Sequence, residues 1–344
     1  MKIKRMLMSF AVLGLGLVSL TSCGDKPNEI EIVNEDGTTE KVSVEATKDQ
    51  AKVAKALNAV AQKEAEKEVS SIEVALKGNV EYAYSSTVSY GDQTITSSTS
   101  LSAKANAVVK VEIDKENPLN SLASAKGSAE LNMTVKAASD SITMKYKASG
   151  NAYLDGAYGY ADYSVETNAM GQTSTDSGKY KVTYEQLYSK IQEVIEQITS
   201  GQFPGADTPS IDLPSNVMTV EEAVEAYGIT ITGTSADTIT FGLVLDENAL
   251  GQDLDGNADT NLELITVSLT WNTVYMVPSQ VKVDAGDVLK YVELPTSDNP
   301  LDKLGEVKVT KSSLNFEYSM KFNSKVDKLT DAQKAEYTET TLNA

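Results

Sequence analysis

From Ile95 to Ile113 the odd positions are apolar or small (Ile95, Ser97, Thr99, Leu101, Ala103, Ala105, Ala107, Val109, Val111, Ile113), while the even ones are Thr, Ser, Lys, Asn or Glu apart from Val108. A period of two held for that length is a β-strand with one face turned away from water. At ~3.3 Å per residue it extends roughly 60 Å, far beyond an ordinary strand, so accumulated twist must make it curve. Such a strand needs neighbours of similar length. Val80, Tyr82, Tyr84, Val88 and Tyr90 share one parity, as do Ala129, Leu131, Met133 and Val135, and then Ile142, Met144, Tyr146, Ala148 and Ala152. Turn residues separate the runs at Gly91-Asp92, Ala138-Ser139-Asp140, Asp155-Gly156 and Met170-Gly171. The short connections predict an antiparallel meander of about six strands over 72–183.

Helices frame this meander. Thr47 with Gln50 reads as a capping box opening a helix to about Glu68, its stripe Val53, Leu57 and Val60 padded with alanine. Thr183 with Gln186 opens a second, whose apolar positions Tyr184, Leu187, Tyr188, Ile191, Val194, Ile195 and Ile198 fall on one face before Gly201 stops it. That stripe predicts a lid over the concave side of the sheet. Pro204, Pro209 and Pro214 mark 201–216 as a loop or linker, and Thr219 with Glu222 starts a short helix to Tyr227. Strands resume at Ile239–Leu245, Leu262–Val277, Gln280–Val283, Val288–Leu294 and Val307–Phe322. In the last, Val307 and Val309 are out of phase with Leu314, Phe316, Tyr318, Met320 and Phe322, which calls for a bulge near 311–313. The fold class is therefore α+β and β-rich: a long curved antiparallel meander, half-barrel-like, covered by a few amphipathic helices. Residues 47–200 form helix, meander and covering helix; 217–344 add strands to the same sheet or make a second lobe.

The first residues are not part of this fold. Lys2, Lys4 and Arg5 precede an apolar run from Met6 to Val18, too short to span a bilayer permanently. The run ends in Leu20-Thr21-Ser22-Cys23, and Cys23 is the only cysteine. This resembles the lipobox of bacterial lipoproteins. The resemblance implies that 1–22 is a signal peptide, that Cys23 carries a covalent lipid, and that the chain is held at the extracytoplasmic face of the cell membrane. Residues 23–46, polar and acidic, then read as a tether, with one short hairpin pairing Ile30 and Ile32 against Val42 and Val44.

Composition removes several functions. Acidic residues outnumber basic ones by 49 to 30, for a formal charge of −19, which repels nucleic-acid backbones. Histidine is absent and Arg5 is the only arginine, so neither an imidazole base nor a bidentate guanidinium clamp is available after processing. With the lone cysteine committed to lipid, no nucleophile stands out, and the expectation is a non-catalytic protein without a cofactor. One stretch has metal-site character. Asp253, Asp255, Asn257 and Asp259 offer oxygens at alternate positions, as calcium requires, yet Ala258 and Leu264 replace the glycine and glutamate of an EF-hand loop. A solvated acidic turn is the competing reading. The cluster Tyr153, Tyr158, Tyr160 and Tyr163 offers either a ligand patch or cross-strand packing.

The lipobox, the helix ahead of the sheet, the long alternating strands, and the Val274–Val283 stretch that turns at Pro278 resemble the half-barrel lipoproteins of the LolA, LppX and LprG type. That resemblance implies a sheet wrapped around an apolar cavity holding an acyl chain. The expected partners are thus the membrane, through the N-terminal lipid, and a lipid or other apolar ligand. The alternative is a surface lipoprotein that works through its exterior, as a structural or protein-interaction module with no cavity.

Overall fold

The computed structural model describes residues 28–33, 38–90, 92–112, 114, 116, 120–137, 140–187, 189, 219–246, 263–286 and 305–341. A twelve-stranded sheet organises them. Its first half is a meander of β3 (Ser71–Tyr90), β4 (Gln93–Glu112), β5 (Leu122–Ala137), β6 (Asp140–Asp155), β7 (Tyr158–Ala169) and β8 (Gln172–Thr183). The second half is β9 (Thr230–Ser235), β10 (Thr238–Asp246), β11 (Glu263–Asn272), β12 (Val277–Asp284) and β13 (Gly305–Phe322). A two-residue strand, β14 (Thr338–Glu339), completes it. The order is β14-β8-β7-β6-β5-β4-β3-β13-β12-β11-β10-β9, antiparallel except where β14 joins β8. The sheet is curved and open, with β14 and β9 at its edges.

The six strands from β3 to β8 are the meander read from the alternation. At the β7–β8 turn both Met170 (φ 51°) and Gly171 (φ 80°) are left-handed, which suits the right-handed twist of the flanking strands. The two halves meet along one seam, where β13 pairs with β3 from Gly305↔Val88 to Phe322↔Ile72. The register slips between Val309 and Lys311, so Thr310 is the additional residue that brings Val307 and Val309 onto the face of Leu314 and Phe316. The described strands after 217 accordingly extend the same sheet.

Three departures from the sequence expectation have local causes. Helix α1 (Gln50–Gln62) is capped by Asp49, whose Oδ1 accepts from the amides of Ala51 and Lys52; Thr47 Oγ1 accepts from Asp49 N instead. Asp at this position outcompetes the Thr47–Gln50 box because it reaches two orphan amides at once. The helix also stops before Glu68, since Lys63 is extended and Glu66 N donates to Val274 O at 2.8 Å. Pro278 is not the turn but lies in β12 opposite Trp271, at a register shift that spares it a ladder donor. The turn itself is 273–276, where Asn272 Oδ1 accepts from Val274 N and Tyr275 N.

Within the expected tether, residues 28–33 and 38–46 belong to the folded body. Strands β1 (Asn28–Val33) and β2 (Thr39–Val44) pair Ile30 with Val42, while Ile32 faces Glu40. Ile30, Val42 and Val44 are buried against α1, together with Val224 of α2 (Val220–Tyr227) and Ile231, Ile239, Phe241 and Leu269 of the sheet. Alanines Ala54, Ala56 and Ala59 let α1 approach closely. Helix α2 has both halves of the Thr219–Glu222 capping box and ends at Gly228, left-handed at φ 59°. A two-bond bridge between Thr47 and Ile231 occupies part of the β9 edge.

Candidate functional site

Strand alternation gives the sheet one apolar and one polar face, and the register shows how far each extends. One apolar row runs Phe241–Leu269–Val281–Tyr318–Leu76, then continues Ala107–Gly127–Gly150–Tyr163 towards β8. At the β9–β11 end this face carries the α1, α2 and β1–β2 core. Farther along, the described residues leave it largely uncovered. Leu131, Met144 and Tyr146 are 41–42% exposed and Ile142 46%, although Leu131 pairs with Tyr146 and Met133 with Met144 to form one continuous surface. Isolated exposed apolar side chains mean little, but a contiguous set across adjacent strands marks a binding surface.

Between that surface and the core the floor is made of Gly78, Ala105, Ala107, Gly127, Ala129 and Ala148. A side chain at Gly78 would meet nothing within 4 Å. The small residues therefore leave space and do not serve a close helix at that point. On the same face Tyr82 and Ser312 stand opposite one another, and their buried hydroxyls have no hydrogen-bond partner among the described residues. Burial pushes the Tyr82 phenol up, with Tyr84 adding to the shift.

Of the expected lid, Tyr184 and Leu187 lie within the described residues, in a helical turn over 184–187. Gln186 N donates to Thr183 Oγ1 at 3.4 Å, one half of the expected box. Leu187 lies on the apolar face directly over Gly159, where a Cβ would come within 2.8 Å of its Cδ2. Tyr188, Ile191, Val194, Ile195 and Ile198 lie outside the described residues. So do Cys23 and the acidic stretch with Asp253, Asp255, Asn257 and Asp259. Among the described residues no three acidic, cysteine or histidine side chains gather as a metal site, and no helix is long and apolar enough to cross a membrane.

The tyrosine cluster divides between the faces. Tyr153 pairs with Tyr160 on the polar face, whereas Tyr163 lies on the apolar face, stacked on Tyr180 over Gly178. The polar-face group is covered by the chain itself. Beyond β13 the C-terminal segment crosses it, burying Leu329 and Tyr337 against Tyr160, with Tyr337 edge-on at 5.3 Å. Lys334 at the end of α3 (Asp331–Lys334) pairs with Asp155 at 2.6 Å, and Asp327 pairs with both Lys126 and Lys110.

One hollow among the described residues lies on the polar face. It is a trough of about 750 Å³ over β4, β3, β13, β12 and β11. A twisted sheet is saddle-shaped, so either face can be concave along one diagonal. Two polar rows cross its floor. The first runs Asn106–Lys77–Glu317–Lys282–Ser268. The second runs Lys104–Asn79–Asn315–Asp284–Thr266. Sequence reading missed this site because each strand's polar parity is visible in isolation, whereas the seam that sets β13 beside β3 joins residues more than 200 positions apart.

No family model matches the chain, and no curated protein matches it in sequence. A solved structure, a β-barrel-like protein of a domain of unknown function from Brucella abortus, is similar to it over 72% of this chain and 98% of its own, at 8% identity and a TM-score of 0.11. A score that low carries nothing over from that protein.

Proposed function

We propose that the protein is a non-catalytic lipoprotein, anchored through Cys23 at the outer side of the cell membrane, which holds a lipid or similar apolar ligand on the apolar face of its half-barrel sheet. The observation that carries this reading is the bare surface of Leu131, Ile142, Met144 and Tyr146 beside the open floor at Gly78. Covering the exposed two-fifths or so of each of these side chains contributes about 1 kcal/mol, so several such contacts together are needed for a stable acyl complex. Native mass spectrometry of the protein beginning at Gly24, which keeps every described residue, tests the proposal. Co-purifying lipid that is lost on Ile142→Asp supports it. A clean apo mass after gentle purification turns the reading to the alternative, a surface module whose bare face meets another protein.

A further inference from the structure

We propose that the polar trough is a second binding site, and that its ligand is a short saccharide. The lining balances three lysines against three carboxylates (Glu81, Asp284 and Glu317) and adds amides and hydroxyls. Neither a polyanion nor a bare cation is favoured by such a surface; a neutral ligand rich in both donors and acceptors is. The carboxylates are partly committed, since Glu317 pairs with Lys77 at 3.5 Å and Glu81 with Lys311 at 2.6 Å. Lys104 and Lys282 make no close ion pair among the described residues, although Glu130 and Glu317 stand opposite them and the Lys104 charge reaches Glu81 and Glu130. The two lysines stand three strand steps apart, roughly 14 Å, too far to grip a single phosphate together.

The floor also excludes an added peptide strand. Strands β3, β13 and β12 are paired on both sides, so their backbone groups are already used and only side chains can read a ligand. Those side chains recur at the strand spacing of ~4.8 Å, close to the length of one pyranose unit, so a glycan laid across the strands meets one polar pair per ring. At the centre, Asn79 and Asn315 stand opposite each other. Asn315 donates to Ser313 Oγ at 2.8 Å, while Asn79 reaches the same oxygen only at 3.5 Å and its own Oδ1 has no donor. The Asn79 Oδ1 itself is shut off from solvent, but both asparagines line the trough, where a sugar hydroxyl, donor and acceptor in one group, suits the amide atoms left open. The volume of about 750 Å³ lies within the range of small-molecule sites.

The test is isothermal titration calorimetry of the full chain, in a detergent without a sugar headgroup, against cellotriose, maltotriose and chitotriose, with their monosaccharides, inorganic phosphate and triglycine as comparisons. The site predicts saturable binding of at least one trisaccharide, about tenfold or more tighter than its monosaccharide. Asn79→Ala combined with Asn315→Ala should remove that binding. Should that pair fail to fold, Lys104→Ala and Lys282→Ala, which break no close ion pair among the described residues, must each weaken it severalfold. Ile142→Asp, on the opposite face, leaves sugar binding intact, which separates this site from the lipid one. Absence of binding by all three trisaccharides, binding indifferent to the trough variants, or phosphate or triglycine binding in their place overturns the proposal.

Discussion

Tyr337 donates its phenolic proton to Asp162 Oδ2 at 2.8 Å, closing a loop of 175 residues across the polar face. Asp162 is held from its other oxygen by Asn151 Nδ2, also at 2.8 Å, so the acceptor is oriented before the tail arrives. The contact raises the Tyr337 phenol, burial being the larger cause and Asp162 the second. Tyr337→Phe should therefore cost about 1–2 kcal/mol, the worth of one bond to a charged acceptor. Tyr337→Ala also removes the edge contact to Tyr160 and should cost about 3 kcal/mol or more. Urea unfolding of the two variants against the parent measures the difference.

The same tail should loosen in acid. Asp327 is held below the usual carboxylate range, first by its hydrogen bond to Lys126 and then by the two lysines' charges; Glu73 beside it is lowered by Lys321 and Lys110. A carboxyl whose folded pKa is depressed adds stability that is fully present above its unfolded pKa, near 4, and is lost as pH falls through the lower folded value. Hydrogen-exchange protection at the β8–β14 pairing, taken relative to the intrinsic rate at each pH, should be flat from pH 7 to about 5 and fall below about 4. Asp327→Asn should abolish most of that pH dependence.

Thr310 tests the seam. Deleting it alone leaves Val309 directly before Lys311, so β13 pairs with β3 in unbroken alternation while Val307 and Val309 stay opposite Ser86 and Tyr84 on the apolar face, and little stability should be lost. Deleting Thr310 and Lys311 together should instead turn both valines to the polar face or break the pairing of Gly305–Val309, and destabilise the protein by about 2 kcal/mol or more. Equal melting temperatures for the two deletions would contradict this register.

That bulge was legible because the sequence breaks phase within one strand, and the meander was legible because its partners are neighbours in sequence. Contacts across long separations were not. The alternation of β3 exposes Lys77, Asn79 and Glu81 on one side, but nothing in it says that Asn315 will face Asn79. Likewise Ile30, Val42 and Val44 look like a lone hairpin in an acidic stretch until α1 and Phe241 are seen to bury them. Capping was read well where one box competed with nothing, as at Thr219–Glu222, and misread where Asp49 offered two bonds in place of one.

The lipid anchor makes a separate prediction. Cys23→Ser should leave the chain unprocessed or released, because only a thiol accepts the diacylglycerol implied by the Leu20-Thr21-Ser22-Cys23 motif. Detergent phase partitioning of the variant and the parent measures it. A serine variant that partitions as the parent does would place the anchor elsewhere.

The most direct measurement on the central claim is photolabelling of the full chain with a diazirine-bearing fatty acid, followed by peptide mass mapping. Occupancy of the bare apolar face predicts saturable labels on β5 and β6, at Leu131, Ile142, Met144 or Tyr146, which unlabelled fatty acid competes away and Ile142→Asp reduces by about tenfold. Labels confined to the polar face, or labelling that competitor does not displace, would contradict a lipid site on this sheet.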